Sequence, residues 1–267
     1  MTLFHLFLVA AIQGLTEFLP VSSSGHLALL PTITGGPDQG LAIDVAVHVG
    51  TLFAVVAYFW ADVKIALAGS LRLMRGRIDT QGAFLALCLI IATIPVVVVG
   101  AALKLTGLDE ALRSVAVIGW TMLGFGLVLY WADKTGGHDR VAEQWRLKDA
   151  LSMGLAQALA LIPGTSRSGI TITAARKLGY DRESSAKLAM LMSIPTIAAS
   201  GLLLGVDVVQ EADWALARDG LVAAIFAFIA ALLALTLMMR LLRSVSFTPY
   251  VIYRVILGIV LLIYAYS

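Results

Sequence analysis

Charged residues are scarce in this chain of 267 residues: 13% of its positions are Asp, Glu, Lys or Arg, whereas 60% are hydrophobic. Soluble domains carry about 25% charged residues, so the composition excludes an ordinary water-soluble globular protein. The single cysteine, Cys88, excludes a disulfide framework and a thiolate metal site, and it is predicted to be a small core residue. Because no Lys or Arg precedes Lys64, the amino terminus lacks the basic flank of a cleavable signal peptide.

The chain contains many long apolar runs. Each is close to the roughly 20 residues that a helix needs to cross about 30 Å of hydrocarbon. The runs suited to a crossing lie at residues 43–61, 81–103, 113–132, 188–206, 220–239 and 247–266. The sequence therefore predicts an all-α polytopic membrane protein with about six spanning helices in a single integral membrane domain over residues 1–267.

The charges between these runs predict how the chain is threaded. Basic residues concentrate in three segments, which are the predicted loops at 62–79 and 133–149 and the stretch 176–187. Segment 207–219 instead carries four acids and a single Arg. The positive-inside rule places the basic segments in the cytoplasm and the acidic segment outside.

With that orientation, the apolar segments 1–31 and 150–176 cannot be simple crossings. Each must enter and leave on one side of the membrane, the first from outside and the second from inside. Pro20 and Pro163 lie where each segment would turn, since proline ends the preceding helix. Both segments are therefore predicted to be re-entrant helical hairpins.

The two predicted hairpins share a sequence pattern: QGLTEFLPVSSSGH at 13–26 and QALALIPGTSRSG at 157–169. In each, a glutamine precedes the closing glycine by twelve residues. Similar hairpins that enter from opposite faces describe an inverted-topology repeat whose broken helices meet near mid-membrane. The expected repeats cover about residues 1–132 and 147–267.

The first hairpin gathers acid, hydroxyl and imidazole groups. Gln13 and Glu17 are four residues apart and share one helix face. A carboxylate in an apolar segment is costly unless it is paired, protonated or bound to a cation. Hydroxyls and free backbone N–H groups at a helix start form an anion cradle. The candidates for this cradle are Ser22, Ser23, Ser24 and Gly25, with His26 directly after them.

The second hairpin adds a guanidinium and more hydroxyls. Arg167 brings a planar, permanently charged fork that suits phosphate oxygens. The neighbouring candidates for substrate binding are Thr165, Ser166, Ser168, Gly169 and Thr171. Together the two hairpins hold the groups that a phosphoryl-transfer site requires.

Structural roles compete with this interpretation. Ser and Thr in membrane helices commonly bond their own backbone or a neighbouring helix. Glu17 and Arg167 also suit a structural ion pair between the hairpins, and His26 suits a capping role. Asp44 and His48 are predicted to be interfacial residues that could at most support the site. These roles do not explain why the polar groups gather in two matching segments.

EFLPVSSSGH and PGTSRSG resemble the signature motifs of the bacterial undecaprenyl-diphosphatases, the bacitracin-resistance family of integral membrane phosphatases. The resemblance covers the whole chain in length, motif spacing and hydropathy. It implies hydrolysis of undecaprenyl diphosphate to undecaprenyl phosphate and inorganic phosphate, which recycles the lipid carrier of cell-wall synthesis. It also implies a divalent cation (Mg²⁺ or Ca²⁺), the bacterial inner membrane, and a site that opens to the outer face.

The family's functional residues correspond to positions in both motifs. The resemblance assigns catalytic or binding roles to Glu17, Ser23, His26, Ser166 and Arg167, with Glu17 as the metal ligand. Many members carry a second glutamate where this chain has Gln13, so Glu17 is the single carboxylate of the first motif. Ser23 is expected to be the nucleophile, with His26 or a water molecule as alternatives.

The sequence leaves one competing function open. Inverted repeats with broken helices are also a transporter architecture, so a transporter or flippase for a phosphorylated lipid or anion is the alternative. The crowding of nucleophile and base candidates favours an enzyme. The expected partners are a polyprenyl diphosphate substrate and membrane lipids, with no nucleic acid. Gly119, Gly124 and Gly126 would permit close helix contact, so a homodimer is also allowed.

Overall fold

Six long apolar helices dominate the computed structural model, which describes residues 2–35, 38–108, 112, 114–211 and 214–267. Within these ranges the chain is helical apart from turns and one isolated bridge between Arg140 and Tyr180. The long helices are α3 (Leu41–Tyr58), α5 (Gln81–Thr106), α6 (Val115–Thr135), α9 (Arg182–Glu211), α10 (Trp214–Leu241) and α11 (Thr248–Tyr266). Each contains a segment long and apolar enough to cross a membrane, which confirms the predicted all-α polytopic class.

Four shorter helices form two hairpins. The first consists of α1 (Leu3–Glu17) and α2 (Ser23–Thr34), and the second of α7 (Leu147–Ala158) and α8 (Arg167–Lys177). With 11 to 15 residues each, these helices are about 16 to 23 Å long and too short to cross the hydrocarbon core. Their positions agree with the two segments predicted to be re-entrant.

One helix lies where the sequence analysis predicted a basic loop. Helix α4 (Trp60–Leu73) follows α3 after a break at Phe59 and occupies most of segment 62–79. It packs against α5 so closely that a Cβ on Gly69 would lie 2.0 Å from the backbone of Gly82. The loop prediction was wrong because the apolar residues between the basic ones form a packing face. Residues 212 and 213 of the acidic segment lie outside the described residues, and the rest of that segment is helical.

The three basic segments meet at one end of the molecule. Lys187, from the third segment, pairs with Asp62 at 2.9 Å and with Glu143 at 3.4 Å, and these acids belong to the first and second segments. The Tyr180 hydroxyl donates to Asp149 at 2.8 Å, and burial raises the pKa of Tyr180 well above its usual value. The shared location agrees with the expectation that all three segments face the same side of the membrane.

Arg176 is a core residue rather than part of a solvated loop. Its side chain is completely buried, and its Nε donates to Asp133 at 3.2 Å. The guanidinium also donates to the backbone carbonyls of Gly137 and Tyr180. Arg182 donates to both oxygens of the same carboxylate, from Nε to Oδ1 at 2.8 Å and from Nη2 to Oδ2 at 3.1 Å. This network fixes the end of the second hairpin against α6.

The two hairpins pack in corresponding ways. Helix α1 lies along α10, and helix α7 lies along α5. Phe7 meets Phe226 at 5.5 Å, and Gly14 contacts Ala230, so α1 and α10 run in the same direction. The first hairpin therefore opens near the start of α10, whereas the second opens at the basic end, where α7 begins. This packing is consistent with an inverted repeat.

Two of the three glycines predicted to allow close helix contact serve packing inside the chain. A Cβ on Gly119 would lie 2.9 Å from Leu262, and a Cβ on Gly126 would lie 3.2 Å from Arg254. Gly124 instead faces open space, with no atom within 4 Å of an added Cβ. Helices α6 and α11 consequently approach each other closely.

The contact between α3 and α10 depends on Gly50, because an added Cβ would lie 2.2 Å from the carbonyl oxygen of Ala224. We expect Gly50→Ala to lower the midpoint of thermal unfolding in detergent, since overpacking typically costs about 1–3 kcal/mol. Gly124→Ala is the matched control and should leave the midpoint unchanged or raise it, because alanine favours a helix by about 1 kcal/mol. Equal losses in the two variants would contradict the packing role.

Candidate active site

The turns of the two hairpins meet at a cavity of about 320 Å³. Both turns line it, together with the first half of α3 and the second half of α9. Its polar lining residues are Glu17, Ser22, Ser23, Ser24, Asp44, His48, Ser166, Arg167, Thr196 and Ser200. Apolar side chains that include Val45, Leu161 and Ile197 complete the wall, so the cavity suits a ligand with one polar end and one apolar end.

The two turns have the same backbone conformation. Ser22 and Ser166 each have φ of 71°, and they are the non-glycine residues with positive φ in the described part of the chain. Each is the N-cap of the helix that follows, and its hydroxyl accepts a hydrogen bond from the amide of Gly25 or Gly169. Positive φ is strained for residues with a Cβ, and the cap partly compensates for that strain.

The conformation of Ser166 predicts opposite effects for two small substitutions. Ser166→Ala removes the cap and keeps the strain, so we expect a loss of about 1 kcal/mol. Ser166→Gly removes the strain, and glycine caps helices almost as well as serine. The midpoint of thermal unfolding in detergent should therefore fall by about 2–4 °C for alanine and be equal or higher for glycine. Equal decreases would show that the strain is not significant.

Glu17 is the point at which both hairpins converge. Ser23 and Arg167 are the first helical residues of α2 and α8, and both reach its carboxylate. Ser23 Oγ donates to Oε2 at 2.5 Å, and Arg167 Nη2 donates to Oε1 at 2.5 Å. Gln13, one turn earlier in α1, donates to Oε2 at 2.9 Å. The structural ion pair considered from the sequence is therefore present, inside the cavity wall.

Two buried polar atoms beside Glu17 have no hydrogen-bond partner among the described residues. They are Nη1 of Arg167 and Oε1 of Gln13. Buried donors and acceptors are nearly always paired in native proteins, and Arg167 lines the cavity, so its free nitrogen is available to a bound ligand. The free guanidinium nitrogen is suited to an anionic oxygen, and the free amide oxygen is suited to a cation or a donor.

Asp44 and His48, predicted from the sequence to be interfacial residues with at most a supporting role, line the cavity. His48 Nδ1 donates to the backbone carbonyl of Asp44 at 2.7 Å, which leaves Nε2 at 4.0 Å from Glu17 Oε2. The Asp44 carboxylate accepts from Gln39 at 2.9 Å. The spacing of four residues did place both on one face of α3, but only the fold shows that this face meets the first hairpin.

His26 lies outside the cavity lining. Its Nδ1 donates to the Ser22 carbonyl at 2.6 Å, and its Nε2 accepts from the Tyr253 hydroxyl at 2.5 Å. The two rings are also stacked, with centroids 5.6 Å apart. Both ring nitrogens are therefore engaged in holding the first turn against α11, and the catalytic role of His26 stays a prediction.

Several predicted substrate-binding hydroxyls have structural partners instead. Ser168 Oγ donates to the Leu19 carbonyl at 2.9 Å and so joins the two turns. Thr171 Oγ1 donates to the Arg167 carbonyl at 2.7 Å within its own helix. Thr165 is completely buried, and its hydroxyl has no partner among the described residues. None of these three hydroxyl residues lines the described cavity, unlike Ser22, Ser24 and Ser166.

Three residues near the site were not predicted from the sequence. Thr196 and Ser200, one turn apart in α9, line the cavity opposite the hairpins. Arg254 in α11 interrupts the apolar run at 247–266, and it contacts both turns. An arginine inside a membrane span is by itself a signal of function, so this residue could have been identified from the sequence.

Comparison with known proteins identifies the family of this chain. The family described as "Bacitracin resistance protein BacA" matches residues 6–260. The chain belongs to this family. It is 78% identical to the undecaprenyl-diphosphatase of Roseobacter denitrificans and 75% identical to that of Dinoroseobacter shibae, over the full length of each chain. It is 47% identical to undecaprenyl-diphosphatase 1 of Rhodospirillum rubrum, with 100% of this chain and 96% of the relative covered.

The cavity contains two carboxylates, which are the type of oxygen donor that Mg²⁺ and Ca²⁺ prefer. No group of three or more His, Cys, Asp or Glu side chains that could hold a metal occurs in the described ranges. Glu17 and Asp44 both line the cavity, and the unpaired Oε1 of Gln13 is a neutral oxygen donor next to Glu17. Mg²⁺ commonly takes one or two carboxylates and completes its shell with water and substrate phosphates.

Proposed function

We propose that this protein hydrolyses undecaprenyl diphosphate to undecaprenyl phosphate and inorganic phosphate in the cavity between the two hairpin turns. The observation that carries the proposal is the convergence of Ser23 and Arg167 on Glu17, with one guanidinium nitrogen left free. This arrangement combines a nucleophile, a proton acceptor and an anion-binding group. The names of the relatives, undecaprenyl-diphosphatases along their full length, support the same reaction.

Substrate binding uses the positive groups around the cavity. Arg167 Nη1 binds the terminal phosphate, while Nη2 stays on Glu17. Helices α2 and α8 both begin at the cavity, so their N-terminal dipoles and free amides favour the diphosphate charge. The prenyl chain follows the apolar wall that includes Val45, Leu161 and Ile197. Ser22, Ser24 and Ser166 supply hydroxyl donors to the phosphate oxygens.

The chemical step begins at Ser23. Its hydroxyl proton passes to Glu17 while Oγ attacks the terminal phosphorus, and the bridging P–O bond breaks to release undecaprenyl phosphate. Glu17 gives this proton to the departing undecaprenyl phosphate and is again a carboxylate. Water then attacks the phosphoserine phosphorus and passes a proton to Glu17, and the Oγ–P bond breaks as Ser23 Oγ takes that proton back, which releases inorganic phosphate. A water molecule in place of Ser23 would give the same products in one step. Because a lipid phosphate is already a good leaving group, positioning and charge neutralisation contribute most.

A divalent cation, Mg²⁺ or Ca²⁺, belongs to this proposal. Glu17 would hold it, with two further oxygen donors: Asp44, which lines the cavity, and the buried Oε1 of Gln13 beside Glu17. The cation would supply neutralisation of the negative charge on the diphosphate. His26 would act through the first turn, since it holds the Ser22 carbonyl and the Tyr253 hydroxyl.

The protein is a multi-pass membrane protein, and we infer that its site faces the outside of the bacterial inner membrane. The cavity is lined by the start of α3 and the end of α9, such as Leu41 and Leu204. The basic segments meet near the opposite ends of these helices, where Lys187 pairs with Asp62. If the basic end faces the cytoplasm, the cavity opens outward. A homodimer would leave this site intact, because the cavity is formed within one chain.

The test is release of inorganic phosphate from undecaprenyl diphosphate by purified protein in detergent, with and without EDTA. Detergent abolishes compartments, so release reports hydrolysis and not transport. We expect cation-dependent release that is lost in folded Glu17→Ala and Arg167→Ala variants. Lipid binding without release by the folded wild type would favour the transporter alternative instead.

A further inference from the structure

Arg254 is a buried arginine without a carboxylate partner among the described residues. It lies in α11, a helix apolar enough to span the membrane, and its side chain is completely buried. In the described part of the chain its hydrogen bonds go to backbone carbonyls alone. A charge inside a membrane helix is costly and is usually retained for function. The guanidinium therefore needs an explanation beyond packing.

The carbonyls that Arg254 contacts belong to both hairpin turns and to α6. It donates to Pro20 at 3.3 Å in the first turn, and to Gly164 at 3.1 Å and Thr165 at 2.9 Å in the second. The remaining bonds go to Thr121 and Met122, at 3.3 Å and 3.2 Å. One side chain thus joins the two turns directly behind the capping serines, and α6 anchors it.

Two glycines provide the space for this side chain. A Cβ on Gly169 would lie 2.8 Å from Arg254 Nη1, and a Cβ on Gly126 would lie 3.2 Å from Arg254 Cβ. Gly169 follows Ser166 at the start of α8, so the guanidinium lies immediately behind the N-terminus that faces the cavity. Its positive charge consequently adds to the field of the helix start.

We propose that Arg254 is a positioning residue of the active site with two effects. Its hydrogen bonds to both turns hold Ser23 and Arg167 in the positions from which both contact Glu17. Its charge, which no carboxylate neutralises, favours binding of an anion in the cavity. This inference rests on the proposed function for the identity of the substrate. The effect of Arg254 on anion binding can be measured separately from turnover.

The experiment compares binding of inorganic pyrophosphate, by calorimetry in detergent, with turnover of undecaprenyl diphosphate. Arg254→Met removes both the charge and the bonds, and we expect its Kd for pyrophosphate to rise about 10-fold or more and kcat to fall about 100-fold. Arg254→Lys keeps the charge, but one nitrogen cannot reach five carbonyls. Its Kd should stay within about 3-fold of wild type while kcat falls about 10-fold.

Arg240→Met is the matched control, because Arg240 is exposed at the end of α10 and its loss should change neither Kd nor kcat. A folded Arg254→Met variant with wild-type Kd and kcat would overturn the proposal. An Arg254→Lys variant that binds pyrophosphate as weakly as Arg254→Met would overturn the charge effect. If the wild type binds pyrophosphate but releases no phosphate from undecaprenyl diphosphate, the proposed function fails. The Kd values of the wild type and the two Arg254 variants for pyrophosphate would still decide the role of Arg254 in anion binding.

Gly126→Ala covers the case in which Arg254→Met does not fold. It shifts Arg254 by contact with its Cβ and leaves the charge in place. We expect kcat to fall with little change in the Kd for pyrophosphate. An unchanged kcat in this variant would contradict the positioning role. If instead the Kd for pyrophosphate rises by the same factor by which kcat falls, positioning and charge are not separate effects.

Discussion

Arg167→Lys is expected to lower kcat/KM for undecaprenyl diphosphate about 100-fold, although the charge is conserved. Arg167 has two separate tasks: Nη2 bonds Glu17 at 2.5 Å, and Nη1 is buried and free for a phosphate oxygen. Lysine offers a single nitrogen on a flexible stem and cannot hold both partners in this geometry. The measurement is phosphate release at several substrate concentrations by protein that elutes as a folded monodisperse species.

The control for this substitution is Arg240→Lys, which makes the same chemical change at an exposed position on α10. It should leave kcat/KM unchanged within about 2-fold, as surface substitutions generally do. Near-normal turnover by Arg167→Lys would show that a single positive charge is enough for catalysis. The guanidinium would then not need to contact Glu17 and the phosphate at the same time. A loss confined to KM would restrict Arg167 to ground-state binding.

The spanning helices could be predicted because length and hydropathy are local properties. The prediction at 81–103, for example, lies within α5 (Gln81–Thr106), since an uncharged run of that length has few alternatives in a membrane protein. Helix α4 could not be predicted in the same way, because Asp62, Lys64 and Arg72 interrupt its apolar sequence. Its helical state reflects packing against α5, and tertiary contacts of this kind are not visible in a single window of sequence.

The site was predictable where the chain repeats itself and not elsewhere. The spacing shared by the two motifs implied that Glu17, Ser23 and Arg167 meet, and they do. The repeat does not imply equal use, however: Gln13 bonds Glu17, whereas its counterpart Gln157 bonds the Ala92 carbonyl at 3.3 Å. The two members of a repeated pair therefore have different partners in the fold.

Contacts from helices without a motif were beyond the reach of the sequence. His48 lies 31 positions from Glu17 and Arg254 lies 237 positions from it, and neither belongs to a pattern that the hairpins share. Their relation to the site depends on the way α3 and α11 pack against the first hairpin. Periodicity shows which face of a helix is apolar, but it does not show which other helix covers that face.

Glu17→Gln is expected to have the largest effect of any single substitution, because it removes the proton acceptor of Ser23 and the counter-charge of Arg167 together. Turnover should fall about 1,000-fold or more, since general-base groups contribute about 10²–10⁴. Stability should fall as well, by about 3–5 kcal/mol, because breaking a buried ion pair leaves a charge unpaired. Phosphate release and thermal unfolding in detergent measure the two effects. Glu143→Gln, at an exposed ion pair, is the control and should cost less than about 1 kcal/mol.

The two effects of Glu17 can be separated with the double variant Glu17→Gln/Arg167→Met. Removing the second charge leaves no unpaired ion in the protein, so most of the lost stability should return, as replacement of whole buried ion pairs by neutral residues generally allows. Activity should not return, because neither the proton acceptor nor the phosphate-binding group is restored. A double variant as unstable as Glu17→Gln would mean that the pair is not the source of the lost stability. Recovered stability with no phosphate release would instead establish that Glu17 and Arg167 are retained for chemistry and that the fold alone does not require them.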